Sequence, residues 1–213
     1  MNIVFEGIDG VGKTTLIRET IEDLKRKKEI VRFIDELTEN SPISDVLNNM
    51  LKDNPFFHYS KDYPTSIFES LLLAADMHYR QEKYKYNDGY NIYDRDFLSI
   101  LSYQKELLKN DYENYMEFYD SFKKIVLFNL KPIDLVVYMY GPIETTVERV
   151  RKRDGKILTE KQISFLSNLK SVYENELLPE VEDKNVKVLR LDGRNNPRSN
   201  LSAIYREINY GKN

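Results

Sequence analysis

A chain of 213 residues suits one α/β domain and is long enough to bury a substantial core. With 41% hydrophobic residues, 31% charged residues and a net charge of −3, it has no global basic field for nucleic acid or an anionic membrane surface. It contains no cysteine, which excludes disulfides, thiolate metal sites and a cysteine nucleophile and fits a reducing cytoplasm.

Residues 2–5 are a short apolar run, readable as a buried parallel strand. The stretch from Gly7 to Thr15 reads GIDGVGKTT and fits G-x-x-x-x-G-K-[ST], with Gly7, Gly12, Lys13 and Thr14 at the required places. Glycines there let the backbone turn tightly and aim successive N–H groups inward, a nest for phosphate oxygens built from Gly10, Val11, Gly12, Thr14 and Thr15. The helix that starts at the end of the loop adds free amides and a positive dipole end. Lys13 would reach the β- and γ-phosphates of ATP, and the Thr14 hydroxyl would hold Mg²⁺. A glycine turn of purely structural use is the plainer alternative. The apolar strand before the loop and the helical pattern of Leu16 to Ile21 after it favour nucleotide binding.

A helix over 13–28 ends in Lys25, Arg26, Lys27 and Lys28, a run that complements the helix dipole and faces solvent rather than forming a nucleic-acid patch. Ile30 to Ile34 alternates and is rich in β-branched residues, a second strand running into Asp35 and Glu36. Ser41-Pro42 opens a helix over 41–52, followed by a polar, aromatic-dotted loop from Asp53 to Pro64. Residues 65–85 predict a long helix in which Ile67, Leu71, Ala74, Ala75 and the neighbouring leucines make one apolar face. Asn87-Asp88-Gly89 stops it, and residues 90–94 are a third strand ending in an acid. Helices are expected over 97–109 and 112–126, a strand over 134–140, and a helix over 143–152 entered through Gly141-Pro142. Another helix at 160–178, a last strand at 186–191 and a closing helix after Pro197 complete the chain. Strands separated by helices predict a single α/β domain, a parallel sheet with helices on both faces. The longest apolar run, Leu135 to Tyr140, is too short to span a bilayer, and the first residues read as a strand rather than a signal peptide. The cytoplasm is therefore the expected location.

Ligands of an open parallel sheet bind beyond the carboxyl ends of its strands, and three strands deliver charge there: Glu6, Asp35-Glu36, and Asp94-Arg95-Asp96. Asp94 is suited to hold Mg²⁺ or its waters and Arg95 to clamp an anionic group, with an ordinary surface salt bridge as the plainer alternative. Helical spacing puts Arg149 and Arg153 on one face with Arg151 beside it, in a basic run that continues through Asp154-Gly155 to Lys156. That run is either a lid around a transferring phosphate or a solvated helix end. His58 and His78 have no partner spaced for a metal, and the sixteen tyrosines supply aromatic packing.

The stretch from Phe5 to Thr15 resembles the phosphate loop of thymidylate kinases, internal aspartate included. Asp94-Arg95, Ser99 and Tyr103-Gln104 have the spacing of that family's second signature, D-R-x-x-x-S-x-x-x-Y-Q. Leu72 to Asp76 matches part of its third-helix signature, and Arg149 to Asp154 falls where its lid lies. The resemblance implies a P-loop kinase fold using ATP and Mg²⁺, with Arg95 on the acceptor phosphate and Asp9 near the acceptor's sugar and the metal. It implies Tyr103 crowding the 2′ position, Arg149 on the donor nucleotide, and Arg151 and Arg153 as lid arginines, since Val11 stands where another branch of the family has a loop arginine. A small-molecule acceptor and no nucleic-acid or membrane partner follow, with a homodimer compatible.

Departures bear on the acceptor. Where the family has Arg-Glu-Pro-Gly after the second strand, this chain has Asp35-Glu36-Leu37-Thr38. The family's base-stacking aromatic and base-reading arginine are here Leu73 and Met77, with Arg80 one turn beyond as a substitute reader. The leading expectation is a nucleoside monophosphate kinase acting on dTMP or a close relative. A deoxynucleoside kinase with Glu36 as general base, and a regulatory protein that binds nucleotide without turnover, are the alternatives.

Overall fold

The computed structural model describes residues 1–51, 65–84, 88–128, 130–155 and 157–210. The predicted loop from Asp53 to Pro64 with His58, the stop residue Asn87, and Lys156 lie outside the described residues. In chain order the elements are β1 (Asn2–Glu6), α1 (Lys13–Arg26), β2 (Val31–Ile34), α2 (Ser44–Leu51), α3 (Ser66–Lys83), β3 (Tyr90–Asp94) and α4 (Phe97–Asp111). There follow α5 (Tyr115–Leu127), β4 (Leu135–Tyr140), α6 (Ile143–Asp154), α7 (Glu160–Val172), α8 (Leu178–Asp183), β5 (Val188–Asp192) and α9 (Pro197–Tyr210). A π-helical turn, Tyr173–Leu177, joins α7 to α8. These elements form two compact units, one of Met1–Ile34, Asn87–Arg95 and Pro132–Asn213, the other of Asp35–Tyr86 and Asp96–Lys131.

The first unit holds a five-stranded parallel sheet in the order β2-β3-β1-β4-β5, flanked by helices. Its central strands are near-continuous apolar runs because both faces are covered: Ile3, Val4, Phe5, Ile92, Leu135, Val136 and Val137 are buried. β1 lies in the middle, with Phe5 opposite Asp94 of β3 and Val137 of β4. The chain turns to one side of β1 for β2 and β3 and to the other for β4 and β5. Whatever follows β1 therefore stands at the point where an open α/β sheet binds its ligands. α1 buries Leu16, Ile17, Thr20 and Leu24 along one side, a helical spacing. At its end Asp23 ion-pairs with Arg26 and Lys27, each at 2.9 Å, and the Lys27 ammonium sits 3.2 Å from the Tyr205 ring centroid. Arg26 and Lys27 of the basic run thus have local partners.

The sequence predicts one helix over 160–178, and the structure corrects that. Pro179 has no N–H and its ring clashes with the carbonyl four residues back, so an ordinary α-turn cannot pass through it. The Leu178 N–H instead reaches back to the Tyr173 carbonyl, and the helix passes the proline as a wider π-turn before continuing to Asp183. Tyr173 is fully buried; its hydroxyl donates to the buried Glu6 carboxylate at 3.1 Å, and its ring packs 5.4 Å from that of Tyr138.

The second unit is helical. α4 and α5 supply its apolar core, with Phe97, Leu98, Leu101 and Leu108 against Tyr119, Phe122 and Val126. α3 overturns the amphipathicity expected of it. Leu71 is 45% exposed and Phe68 55%, Ala75 is exposed too, and the buried side carries Ser66, Glu69, Ser70, Asp76, Arg80 and Gln81 beside Ala74 and Met77. Polar groups are tolerated there because they bond one another and their surroundings. The Ser70 hydroxyl lies 2.8 Å from the Gln104 carbonyl oxygen, and the Gln104 amide donates to Glu69 at 2.9 Å. None of the described helices is long and apolar enough to cross a membrane.

Candidate active site

The loop between β1 and α1 is shaped by its glycines. Gly7 has φ +133°, and a Cβ there would lie 2.2 Å from the Met139 carbonyl oxygen of the neighbouring strand. Gly7→Ala is expected to lower stability by about 3 kcal/mol, read as a shift of the denaturant midpoint at unchanged m-value. Gly12, at φ 103°, is the N-cap of α1 and offers its first turn no side chain; that turn also contains no acid. The amides of the turn are thus directed at the loop with the helix dipole behind them, the arrangement that attracts an anion. Thr14 and Thr15 are exposed at its rim. Lys13 is buried, and its ammonium donates to the Gly7 carbonyl at 2.8 Å and the Ile8 carbonyl at 3.1 Å, bracing the loop across its own turn.

Arg95 follows β3 with its backbone in the left-handed region, φ 66°, unusual for a side chain with a Cβ. Its N–H is held by the Phe5 carbonyl at 3.0 Å. Its buried guanidinium donates to the Asp9 carboxylate at 2.7 Å, which ties the end of β3 to the middle of the loop after β1. Arg153, near the end of α6, forks onto Asp154 at 2.6 and 2.8 Å, which holds its guanidinium firmly protonated. It also feels the Asp9 charge as an attraction and the Arg95 charge as a repulsion. Asp9 is therefore bonded by Arg95 and lies within electrostatic reach of Arg153.

Arg149, one turn earlier on α6, donates to the Val11 carbonyl at 3.1 Å and to the Gly193 carbonyl at 2.8 Å. A Cβ on Gly193 would lie 2.1 Å from the Val11 carbonyl oxygen, so the turn after β5 rests on the loop directly. Sequence reasoning misses Gly193 and Tyr173. For Gly193 a signal existed: a glycine immediately after the last strand, at the sheet edge where the other glycine turn lies.

The first unit thus brings together Gly7, Asp9, Gly10, Val11, Gly12, Lys13, Arg95, Arg149 and Arg153. Asp94 is half-buried at the end of β3, and Arg151 is exposed on α6. Thr14 and Asp94 offer hard oxygen donors of the kind Mg²⁺ takes, so the residues present fit that ion. Glu36, Leu73, Met77, Ser99, Tyr103 and Gln104 belong to the second unit. Glu36 is exposed, Leu73 and Tyr103 are half-buried, Ser99 and Met77 are buried, and Gln104 is turned into the polar contact with Glu69 and Ser70. Arg80 is 1% exposed and bonds backbone carbonyls and Asp96, so it is not presented to a base.

The profile of the family described as thymidylate kinase matches residues 5–198. The chain is 29% identical over 172 residues to a probable thymidylate kinase of Caldivirga maquilingensis, covering 79% of this chain and 76% of that one. It is 29% identical over 180 residues to a thymidylate kinase of Legionella pneumophila, covering 80% of this chain and 78% of that one. Among solved structures it is similar in fold to a deoxyadenosine kinase from M. mycoides with bound dATP, at TM-score 0.62, 20% identity, and coverage of 98% and 100%. The same enzyme with bound dCTP gives TM-score 0.68 and 20% identity, over 99% of this chain and 100% of that one.

Proposed function

The chain belongs to the thymidylate kinase family, and on that premise we propose that it transfers the γ-phosphoryl group of ATP, with Mg²⁺, to a (deoxy)nucleoside monophosphate, dTMP or a close relative. The observation that carries this reading is the loop itself: glycine-shaped, uncapped at α1, braced by Lys13 and tied through Asp9 to Arg95. In the reaction the bond from the γ-phosphorus to its bridging oxygen breaks, and a bond to an acceptor phosphate oxygen forms. The loop amides and Lys13 hold the β- and γ-phosphates, and Arg149 steadies the donor side of the loop. Mg²⁺, when bound, neutralises charge between the phosphates; the Thr14 hydroxyl and Asp94 carboxylate would hold it. Arg95 meets the acceptor phosphate beside Asp9, and Glu36, Leu73, Met77, Ser99, Tyr103 and Gln104 are assigned to the acceptor by resemblance. The cytoplasm is the proposed location.

Arg151 and Arg153 act as the lid pair, at the end of a helix whose last turn is basic. Replacing either by alanine should lower kcat about tenfold or more while raising KM for ATP by less. Steady-state kinetics of the two variants check this, and unchanged values in both would return these arginines to a solvated helix end.

One observation favours a second reading. Asp35 and Glu36 are exposed after β2, and Arg80 donates to their backbone carbonyls. An acidic edge suits a neutral 5′-hydroxyl, whose proton the Glu36 carboxylate would take as the new bond to phosphorus forms. The deciding experiment follows ADP release with ATP and Mg²⁺ over a panel of nucleosides and their monophosphates. Faster turnover of monophosphates supports the first reading, faster turnover of nucleosides the second, and no turnover of any would refute both.

A further inference from the structure

Three side chains of α3 grip the backbone of residues 35–39. Asp76 accepts the Thr38 N–H at 2.9 Å, and Lys83 donates to the Glu39 carbonyl at 2.7 Å. Between them one guanidinium nitrogen of Arg80 donates to the Asp35 carbonyl at 2.8 Å and the Glu36 carbonyl at 2.6 Å. Positions 76, 80 and 83 lie on one helix face, so this grip runs along the helix as a line. Arg80 is 1% exposed, and its other terminal nitrogen pairs with Asp96, itself 4% exposed and the N-cap of α4. Burial pushes the Asp96 carboxyl up from its ordinary range, and the Arg80 guanidinium opposes that shift. A planar fork can meet two carbonyls and a carboxylate at once; a lysine ammonium cannot do so in one geometry.

These bonds fix the main chain and leave the carboxylates of Asp35 and Glu36 on the exposed side. The Asp35 side chain adds a bond from the Glu36 N–H at 2.8 Å, which further restricts the peptide carrying Glu36. We propose that Arg80, helped by Asp76, is a positioning residue for the acceptor: it holds the backbone that presents Glu36 and sets acceptor turnover without touching the acceptor. This rests on the reading above that Glu36 meets the acceptor. It also gives the arginine a use other than reading a base, and accounts for Asp76 and Arg80 on the buried side of α3.

The test compares the wild-type protein with Arg80→Lys, Asp76→Ala and Asp76→Asn, using hydrogen exchange of amides 36–39 and steady-state kinetics on both substrates. Asp76→Ala leaves the Arg80–Asp96 pair in place, so the test does not depend on a variant with a lone buried charge. Arg80→Lys and Asp76→Ala should speed exchange across 36–39 and lower kcat/KM for the acceptor by up to about a hundredfold, the scale of a small misplacement of a reacting group. KM for ATP should stay within about twofold, and Asp76→Asn, which keeps an oxygen for the Thr38 N–H, should recover both properties. Unchanged exchange in both Arg80→Lys and Asp76→Ala overturns the grip. Faster exchange with unchanged acceptor kinetics, or an equal loss on the ATP side, overturns the positioning role. If the wild-type protein phosphorylates no acceptor of the panel, it is the activity reading that falls, while the exchange data still decide the grip.

Discussion

Lys13→Ala is expected to cut phosphoryl transfer to a trace while the protein still folds. The ammonium is buried in the loop, donating to the loop's own carbonyls at Gly7 and Ile8. On the proposed reaction an incoming γ-phosphate would draw it onto charge that grows as the bridging bond breaks, so its removal should act on the transition state more than on binding. The expected fall in kcat is about a thousandfold or more, with KM for ATP changed far less. Two bonds to carbonyls are lost as well, on the order of 2 kcal/mol together, which lowers the melting temperature by several degrees without unfolding the chain. Circular dichroism and a thermal melt establish the fold, and single-turnover kinetics measure the chemistry. A folded variant working at nearly the wild-type rate would remove the phosphate-loop assignment.

Arg95→Ala and Glu36→Gln separate the two acceptors. A monophosphate brings about two negative charges, and Arg95, already held against Asp9, is the group assigned to meet them. With a monophosphate, Arg95→Ala should cost about 3 kcal/mol or more in kcat/KM, and Glu36→Gln much less, because an ionised acceptor needs no base. With a nucleoside, Glu36 must receive the proton, and Glu36→Gln should lower kcat by about a hundredfold or more. Both variants are assayed on the same nucleoside and its monophosphate. A wild-type preference for nucleosides, together with the larger loss in Glu36→Gln, would defeat the monophosphate reading.

The phosphate loop is legible in the sequence because everything it requires is local: an apolar strand, glycines at fixed spacing, and a helix start. The parallel sheet follows from strands alternating with helices, and element boundaries differ from expectation mainly at ends where helices fray or tighten. α3 is another matter. Periodicity tells which residues share a face but not which face turns inward, and the polar residues that win the interior do so through partners thirty or more positions away, such as Gln104 for Ser70 and Thr38 for Asp76. Arg80 reads as a substitute base reader for the same reason, whereas it is buried among carbonyls and Asp96. The π-turn is hidden because Pro179 sits in a stretch that is otherwise continuously helical, where a break and a widened turn look alike.

Arg95 has one more consequence. Its left-handed backbone is strained by about 1 kcal/mol relative to a glycine at the same angles, and the strain is held in place by the Phe5 carbonyl on one side and Asp9 on the other. A selection for heat resistance and a selection for turnover would therefore pull on this residue in opposite directions: the first is drawn by the relaxed main chain of glycine, the second by the guanidinium that only the strained residue supplies. If Arg95 meets the acceptor as proposed, variants hardened without reference to activity should lose the acceptor end of the reaction first.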